Sequence, residues 1–401
     1  MESTNADLLV LGLGGTVDYE ISWDNRIVEE LVDLYKIGLQ DLTKSEAISS
    51  ERELVCTVLS YMANSSGGET QVTDPRVVKE FGDRFEKRIT LGGTGVRAAL
   101  AMQGFGVAAT QHLVSIDENV RRLLPANAKY ICSADSDSFD PHLIIQFNEA
   151  SAVKVQDTII RATKADRIIL TCDPPNELLL ISKELPAALM KARLFLISGF
   201  NSIHDEEVLA QRLEQVKKDA EVIQEGGLIF FEDAGYHRPE FRNIVMKSVS
   251  QYCSFFSLNE EELQNYLGRK VDFLSVDSVV KALTEITTFI PVPILIIHTK
   301  AWSAILGSGF MKYQECVVSG MIMATTRYIY GDSFSIENFE STKMLPRNAD
   351  SSTLAKAINR GLGNSGVFIP AYEVNCLTPT TIGLGDSFVG GFLLELSRNI
   401  L

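Results

Sequence analysis

The chain has 401 residues, 45% of them hydrophobic and 22% charged, with a net charge of −15. That balance excludes a disordered or fibrous protein and gives enough chain for a main core with a smaller one beside it, while the acidic field disfavours phosphodiester backbones and anionic lipid surfaces as partners. Cys56, Cys132, Cys172, Cys253, Cys316 and Cys376 form no Cys-x-x-Cys pair, and the acidic start Met1-Glu2-Ser3 is unlike a secretory signal, so the expectation is a cytoplasmic protein without zinc, disulfide framework, nucleic-acid partner or membrane segment.

In chain order, the apolar run 7–13 predicts a buried strand leading into Leu11-Gly12-Leu13-Gly14-Gly15-Thr16-Val17-Asp18. The glycines invite a dinucleotide-binding reading, with a nicotinamide-dependent oxidoreductase as its consequence, but Val17 stands where Gly-x-Gly-x-x-Gly needs its last glycine. Helices are predicted over 25–39 and after Asp74-Pro75, which suit N-cap and N1, with an exposed loop at 64–68 between them. Gly92-Gly93 is a tight turn into a small-residue helix, and it also allows close approach of a ligand to backbone. The runs Lys129–Cys132, His142–Phe147, Ala152–Val155 and 167–171 lack long helices between them and predict a small antiparallel or mixed sheet.

From there, apolar runs at 193–198, 227–231, 254–258 and 292–298 alternate with helical spacing, as in the segment capped by Asp205 and carrying Val208, Leu209, Leu213 and Val216. This predicts an α/β fold, a doubly wound and mostly parallel sheet flanked by helices, with a smaller α/β lid. The expected division gives 1–17, 92–120 and 186–401 to the large nucleotide-binding part, and 18–91 with 121–185 to the lid. Residues 347–352 are expected to form an exposed loop. Near the end, Gly383-Leu384-Gly385-Asp386 precedes a buried, small-residue helix, so backbone amides freed at a helix start can meet a phosphoryl group beside a carboxylate able to take a proton. By itself this pattern is equally a turn with a capping aspartate.

Gly383-x-Gly385-Asp386 with the helix after it resembles the signature of the ribokinase superfamily. Ser257-Leu258-Asn259-Glu260-Glu261-Glu262-Leu263 resembles the Asn-x-x-Glu motif in its ADP-dependent glucokinase/phosphofructokinase branch. Ile229-Phe230-Phe231-Glu232 falls where that branch has His-x-Glu, and Ala165-Asp166-Arg167-Ile168-Ile169 resembles its Asn-Arg-Phe-Ile segment. His142-Leu143-Ile144, Ser198-Gly199-Phe200 and His298-Thr299-Lys300 follow in family order.

The resemblance implies a sugar kinase with Asp386 as catalytic base, Gly383 and Gly385 shaping the phosphoryl pocket, and Arg167 on the donor phosphates. It implies Asn259 and His298 beside the nucleotide, Glu232 and Glu262 toward a hydrated Mg2+, and Asp18, Glu69, Gly92 and Gly93 with Asp386 around the sugar. The implied donor is ADP, leaving AMP, with ATP as the alternative. Partners are then a small sugar and a nucleotide, and the assembly a monomer or small homo-oligomer. The branch usually has asparagines where this chain has Gly14, Thr16 and Thr94, and Phe230 replaces the histidine of His-x-Glu. Those departures leave a non-catalytic sugar or nucleotide sensor as a rival. Gly67-Gly68-Glu69 favours an unphosphorylated hexose, whereas a 6-phosphofructokinase would need basic residues after Phe147 that the chain lacks before Lys154.

Overall fold

In a computed structural model, residues 6–45, 47–164, 166–376 and 379–400 are described. Met1–Asn5, where the acidic start was read, and Ala165 of the Asn-Arg-Phe-Ile-like segment lie outside the described residues. The principal sheet has nine strands in the order Gly366–Pro370, Trp302–Gly307, Ile294–His298, Phe255–Asn259, Leu228–Glu232, Leu194–Ile197, Leu9–Leu11, Thr110–Leu113 and Lys129–Cys132. Pairing is parallel from Ile294–His298 to Lys129–Cys132 and antiparallel at the other edge. Its central strands are apolar on both faces because helices cover both. Val10, Phe195, Phe231 and Phe256 pack to one side, and Leu11, Leu196, Phe230 and Phe392 to the other.

A second sheet of six strands runs in the order Ala47–Ile48, Gly68–Val72, Asp166–Thr171, His142–Phe147, Thr16–Ile21 and Lys87–Gly92. Here the sequence alternates. Val17, Tyr19 and Ile21 turn inward onto the helices Asn25–Leu34 and Glu51–Ala63, so Thr16, Asp18 and Glu20 must occupy the opposite, polar face. Register carries that face across the neighbours, aligning Asp18 with Thr90 and His142, and Glu20 with Arg88 and Ile144.

Three expectations are corrected. Lys129–Cys132 does not join the small sheet but extends the large one by pairing with Thr110–Leu113, because the open edge of that buried strand offers a partner in parallel register. Ala152–Val155 forms a separate hairpin with Thr158–Arg161. Residues 347–352 are not a loop throughout: Asn348 caps the helix Ala349–Leu362 and Ser351 is fully buried. The helix at 25–39 stops earlier, at Leu34, while Asp74 and Asp205 cap their helices as expected.

Three helices bring the site together. Leu384–Ile400 packs against Gln314–Tyr330 and Thr94–Gln103 at near-backbone distance, and glycines permit it. A Cβ on Gly390 would lie 2.9 Å from Ala98 O, and one on Gly391 2.5 Å from Ser319 O. The start of Thr94–Gln103 thereby comes beside the start of Leu384–Ile400.

Candidate active site

Glu232, Asn259 and His298 are the last residues of three adjacent parallel strands, at the carboxyl edge where open α/β sheets bind ligands. His298 Nε2 lies 2.9 Å from Glu232 Oε1, and its ring stacks on Phe388 with centroids 4.6 Å apart. Burial opposes a charge on His298, but the Glu232 carboxylate, with Glu260 and Asp386 farther off, raises its pKa. The histidine that meets Glu232 thus comes from two strands away, and position 230 carries a core phenylalanine. A Cβ on Gly385 would meet His298 Cε1 at 3.5 Å, so this dyad borders the Gly383–Asp386 turn directly.

Asn259 caps the helix Glu260–Leu267 in a reciprocal box. Its side chain accepts from the amides of Glu261 and Glu262, while Glu262 accepts from the Asn259 backbone N–H at 2.7 Å and from Nδ2 at 2.8 Å. Burial, then the charges of Asp233 and Glu232, push the Glu262 carboxyl well above its ordinary pKa, and burial with Glu232 pushes Asp233 up to about 7. This corner is therefore rich in buried acid and short of cationic charge. Glu232 Oε2 is buried without a hydrogen-bond partner.

Among the described residues no three Asp, Glu, His or Cys side chains converge to cage a metal by themselves. The donor set fits a Mg2+ that keeps several waters and leans on Glu232, with Glu262 one step behind because Asn259 occupies both its oxygens.

Asp386 is the third residue of the helix Leu384–Ile400, not its cap. Gly383 precedes the helix with φ +65, and its carbonyl accepts from Ser387. On the facing sheet, Asp18 is 4% exposed and held at both oxygens, by Thr16 Oγ1 at 2.7 Å and Arg97 Nη2 at 2.8 Å. A Cβ on Gly92 would come within 2.6 Å of Asp18 Oδ2, and Gly93 has φ +87, so both glycines of this turn are sterically required. Glu69 lies on the same sheet, 3.3 Å from His237 of the segment after Leu228–Glu232. Desolvation opposes ionisation of Glu69, but His237 and the charges of His142 and Arg167 outweigh it and lower its pKa. Arg167 is exposed on the strand Asp166–Thr171, facing the cleft with Ile169 and Thr171.

The predicted residues thus form two facing groups, Glu232, Asn259, Glu262, His298, Gly383, Gly385 and Asp386 on the large sheet and Asp18, Glu69, Gly92, Gly93 and Arg167 at the small one. Sequence reasoning assigned no role to Arg97, to the bond from His142 to Asp173 at 2.8 Å, or to Asn176. Asn176 explains Gly14: a Cβ there would lie 2.2 Å from Asn176 Oδ1, and Asn176 Nδ2 donates to Gly15 O at 3.0 Å. An amide absent from position 14 is replaced by one arriving from 162 residues later, and Thr16 gives Asp18 a hydroxyl donor where the branch has an amide.

The nine-stranded sheet with its glycine-aspartate helix start, faced by a smaller sheet, defines a ribokinase-like fold. Residues 8–393 match the family described as the ADP-specific phosphofructokinase/glucokinase conserved region, and the chain belongs to that family of phosphotransferases with an alcohol group as acceptor. A hypothetical ADP-dependent phosphofructokinase from Pyrococcus horikoshii OT3 superposes with a TM-score of 0.82 at 14% identity, covering 98% of each chain. An ADP-dependent kinase in complex with fructose-6-phosphate and ADPβS gives 0.75 at 14% identity over 97% of this chain and 93% of that one. Adenosine kinase from Sinorhizobium meliloti gives 0.53 at 11% identity over 98% and 88%. No curated protein sequence matches the chain. No helix among the described residues is long and apolar enough to cross a membrane.

Proposed function

We propose that the protein transfers a phosphoryl group from Mg-ADP to a hydroxyl of a hexose such as glucose, releasing AMP. The observation that carries this reading is the apposition of Asp386, at a helix start on one sheet, with Asp18, a buried and doubly hydrogen-bonded carboxylate on the other. Asp18 accepts hydrogen bonds from acceptor hydroxyls, and Asp386 takes the proton from the attacking one. Free amides of the first turn of Leu384–Ile400 face the charge that develops on the phosphoryl oxygens, and Arg167 approaches the donor phosphates from the small sheet. That sheet, with its polar face over the site, acts as a lid that excludes water. Mg2+, when bound, supplies positive charge beside those phosphates; Glu232 would hold it, with Asn259 and Glu262 behind.

ADP as donor is supported by family membership and by the neighbour solved with ADPβS. The same neighbour supports a second reading in which the acceptor is fructose-6-phosphate. Charge favours the first, because Arg88, Arg97 and Arg327 already face Asp18, Glu20, Asp332 and Asp386, so that these three guanidinium groups are engaged rather than free for a distal phosphate. Initial rates with glucose and fructose-6-phosphate, each with Mg-ADP and Mg-ATP, test acceptor and donor together. Glucose with ADP is expected to be fastest, and a clear preference for ATP removes the donor assignment. Asp386→Asn is expected to retain ADP binding and to lower kcat by roughly 10²–10⁴; unchanged turnover excludes Asp386 as the base.

A further inference from the structure

We infer that Arg97 is a positioning residue for the transfer, one buried guanidinium that orients the acceptor-binding carboxylate Asp18 against the base Asp386 and couples the small sheet to the large one. The inference rests on the kinase reading above and adds to it a residue to which the family resemblance gives no role. Arg97 stands in the first turn of Thr94–Gln103, and its backbone N–H donates to Gly93 O at 2.9 Å. The residue is 4% exposed. Nη2 lies 2.8 Å from Asp18 Oδ2 and 3.8 Å from Glu20 Oε1, and Nε lies 3.8 Å from Asp386 Oδ2.

Gly383 is shaped around this side chain: a Cβ there would come within 2.7 Å of Arg97 Nη1. On the other side of the same turn, Arg327 Nε donates to Ile382 O at 2.8 Å, and its guanidinium pairs with Asp332. The Gly383 turn is thus gripped between two arginines, of which only Arg97 also reaches the small sheet's Asp18.

The energetics favour a purpose beyond packing. Burying a guanidinium is costly unless carboxylates compensate. Burial opposes the charge on Arg97, yet Asp18, Asp386 and Glu20 together outweigh it and raise its pKa. Those carboxylates in turn need the cation, since two like charges facing one bound alcohol would otherwise repel. A flat guanidinium presents separate edges to two carboxylates in a fixed geometry, whereas an ammonium is a compact point charge whose donors rotate. Loss of Arg97 therefore frees Asp18 and Asp386 to turn apart, and misplacement of this order acts on turnover more than on donor binding.

The test uses the full chain with Arg97→Ala and Arg97→Lys. In Arg97→Ala, kcat is expected to fall about a hundredfold, with ADP affinity within about twofold of wild type, and guanidinium ions at tens of millimolar are expected to restore part of the loss while leaving wild type unchanged. Arg97→Lys is expected to fall between the two. Hydrogen exchange on the ligand-free proteins is expected to quicken together in residues 16–21 and 383–387 of the variants. Near-wild-type kcat, or exchange unchanged in either segment, overturns the inference. Equal loss of ADP affinity and turnover without guanidinium rescue does so as well. Should Arg97→Ala not fold, the lysine variant carries both measurements. A wild-type chain that phosphorylates no sugar would overturn the kinase reading instead, and the exchange comparison, needing neither sugar nor donor, still decides the coupling.

Discussion

His142 stands opposite Asp18 on the small sheet and hydrogen-bonds Asp173. Burial disfavours its charge, but that bond and the carboxylates of Asp173, Asp18 and Glu69 prevail and raise its pKa to about 9. A histidine raised in the folded state from about 6.5 contributes stability that is complete below the unfolded value and disappears as pH climbs through the folded one. The window here runs from about pH 6.5 to about 9, and the contribution reaches about 3 kcal/mol at most. Asp173→Asn should therefore destabilise the protein clearly at about pH 6 and little at about pH 10, as read from denaturant midpoints. An offset equal at both would remove His142 as the titrating group. At this scale the sequence was informative where a residue sits in a motif. Asp386, Glu232, Asn259 and His298 were legible because a strand end or a glycine turn announces each. Arg97 and Asn176 were not, since a lone cation in a small-residue helix and an amide after two prolines become meaningful only when distant segments fold onto Gly383 and Gly14.

The helix Leu384–Ile400 is where element packing and chemistry meet. Its glycines at 390 and 391 do not loosen it; they let Thr94–Gln103 and Gln314–Tyr330 approach until backbone nearly touches backbone. Gly391→Ala places a methyl 2.5 Å from Ser319 O and 2.6 Å from Met323 Cβ. The expected cost is about 1–3 kcal/mol of stability, with a drop in kcat because the start of the helix shifts with its middle. Thermal melting and steady-state kinetics on the same preparation check both; an alanine variant as stable and active as wild type would show that this crossing has slack. The buried small-residue pattern was readable from 388 to 396, and the parallel strands from their continuous apolar runs. The partner of Lys129–Cys132 was not. Four alternating residues define a strand, but nothing in them says which of two sheets has the vacant edge.

Across the whole molecule, two polar bridges join the sheets at opposite rims of the cleft. Arg88 Nη2 lies 2.7 Å from Asp332 Oδ2 at one rim, and His237 meets Glu69 at the other. Both pairs are partly exposed, so each is worth little and is screened by salt. Removing both, with Asp332→Asn and His237→Gln, should let the ligand-free sheets separate and enlarge the radius of gyration in small-angle scattering, with sugar and ADP restoring the smaller value. A radius unchanged in all states would mean that packing and the buried Arg97–Asp18 pair suffice to fix the cleft.

The path of the chain between the sheets bears on how the protein is made. The backbone leaves the large sheet after Leu9–Leu11 for Thr16–Ile21, returns for Thr110–Leu113 and Lys129–Cys132, departs again for His142–Phe147 and Asp166–Thr171, and comes back at Leu194–Ile197. Leu9–Leu11 needs Leu194–Ile197 beside it, and Thr16–Ile21 needs His142–Phe147. As the polypeptide emerges from the ribosome, then, neither layer closes early, and some 180 residues are synthesised before the first strand gains its later neighbour. A chain stopped near residue 140 should behave as an aggregation-prone fragment rather than as an autonomous unit.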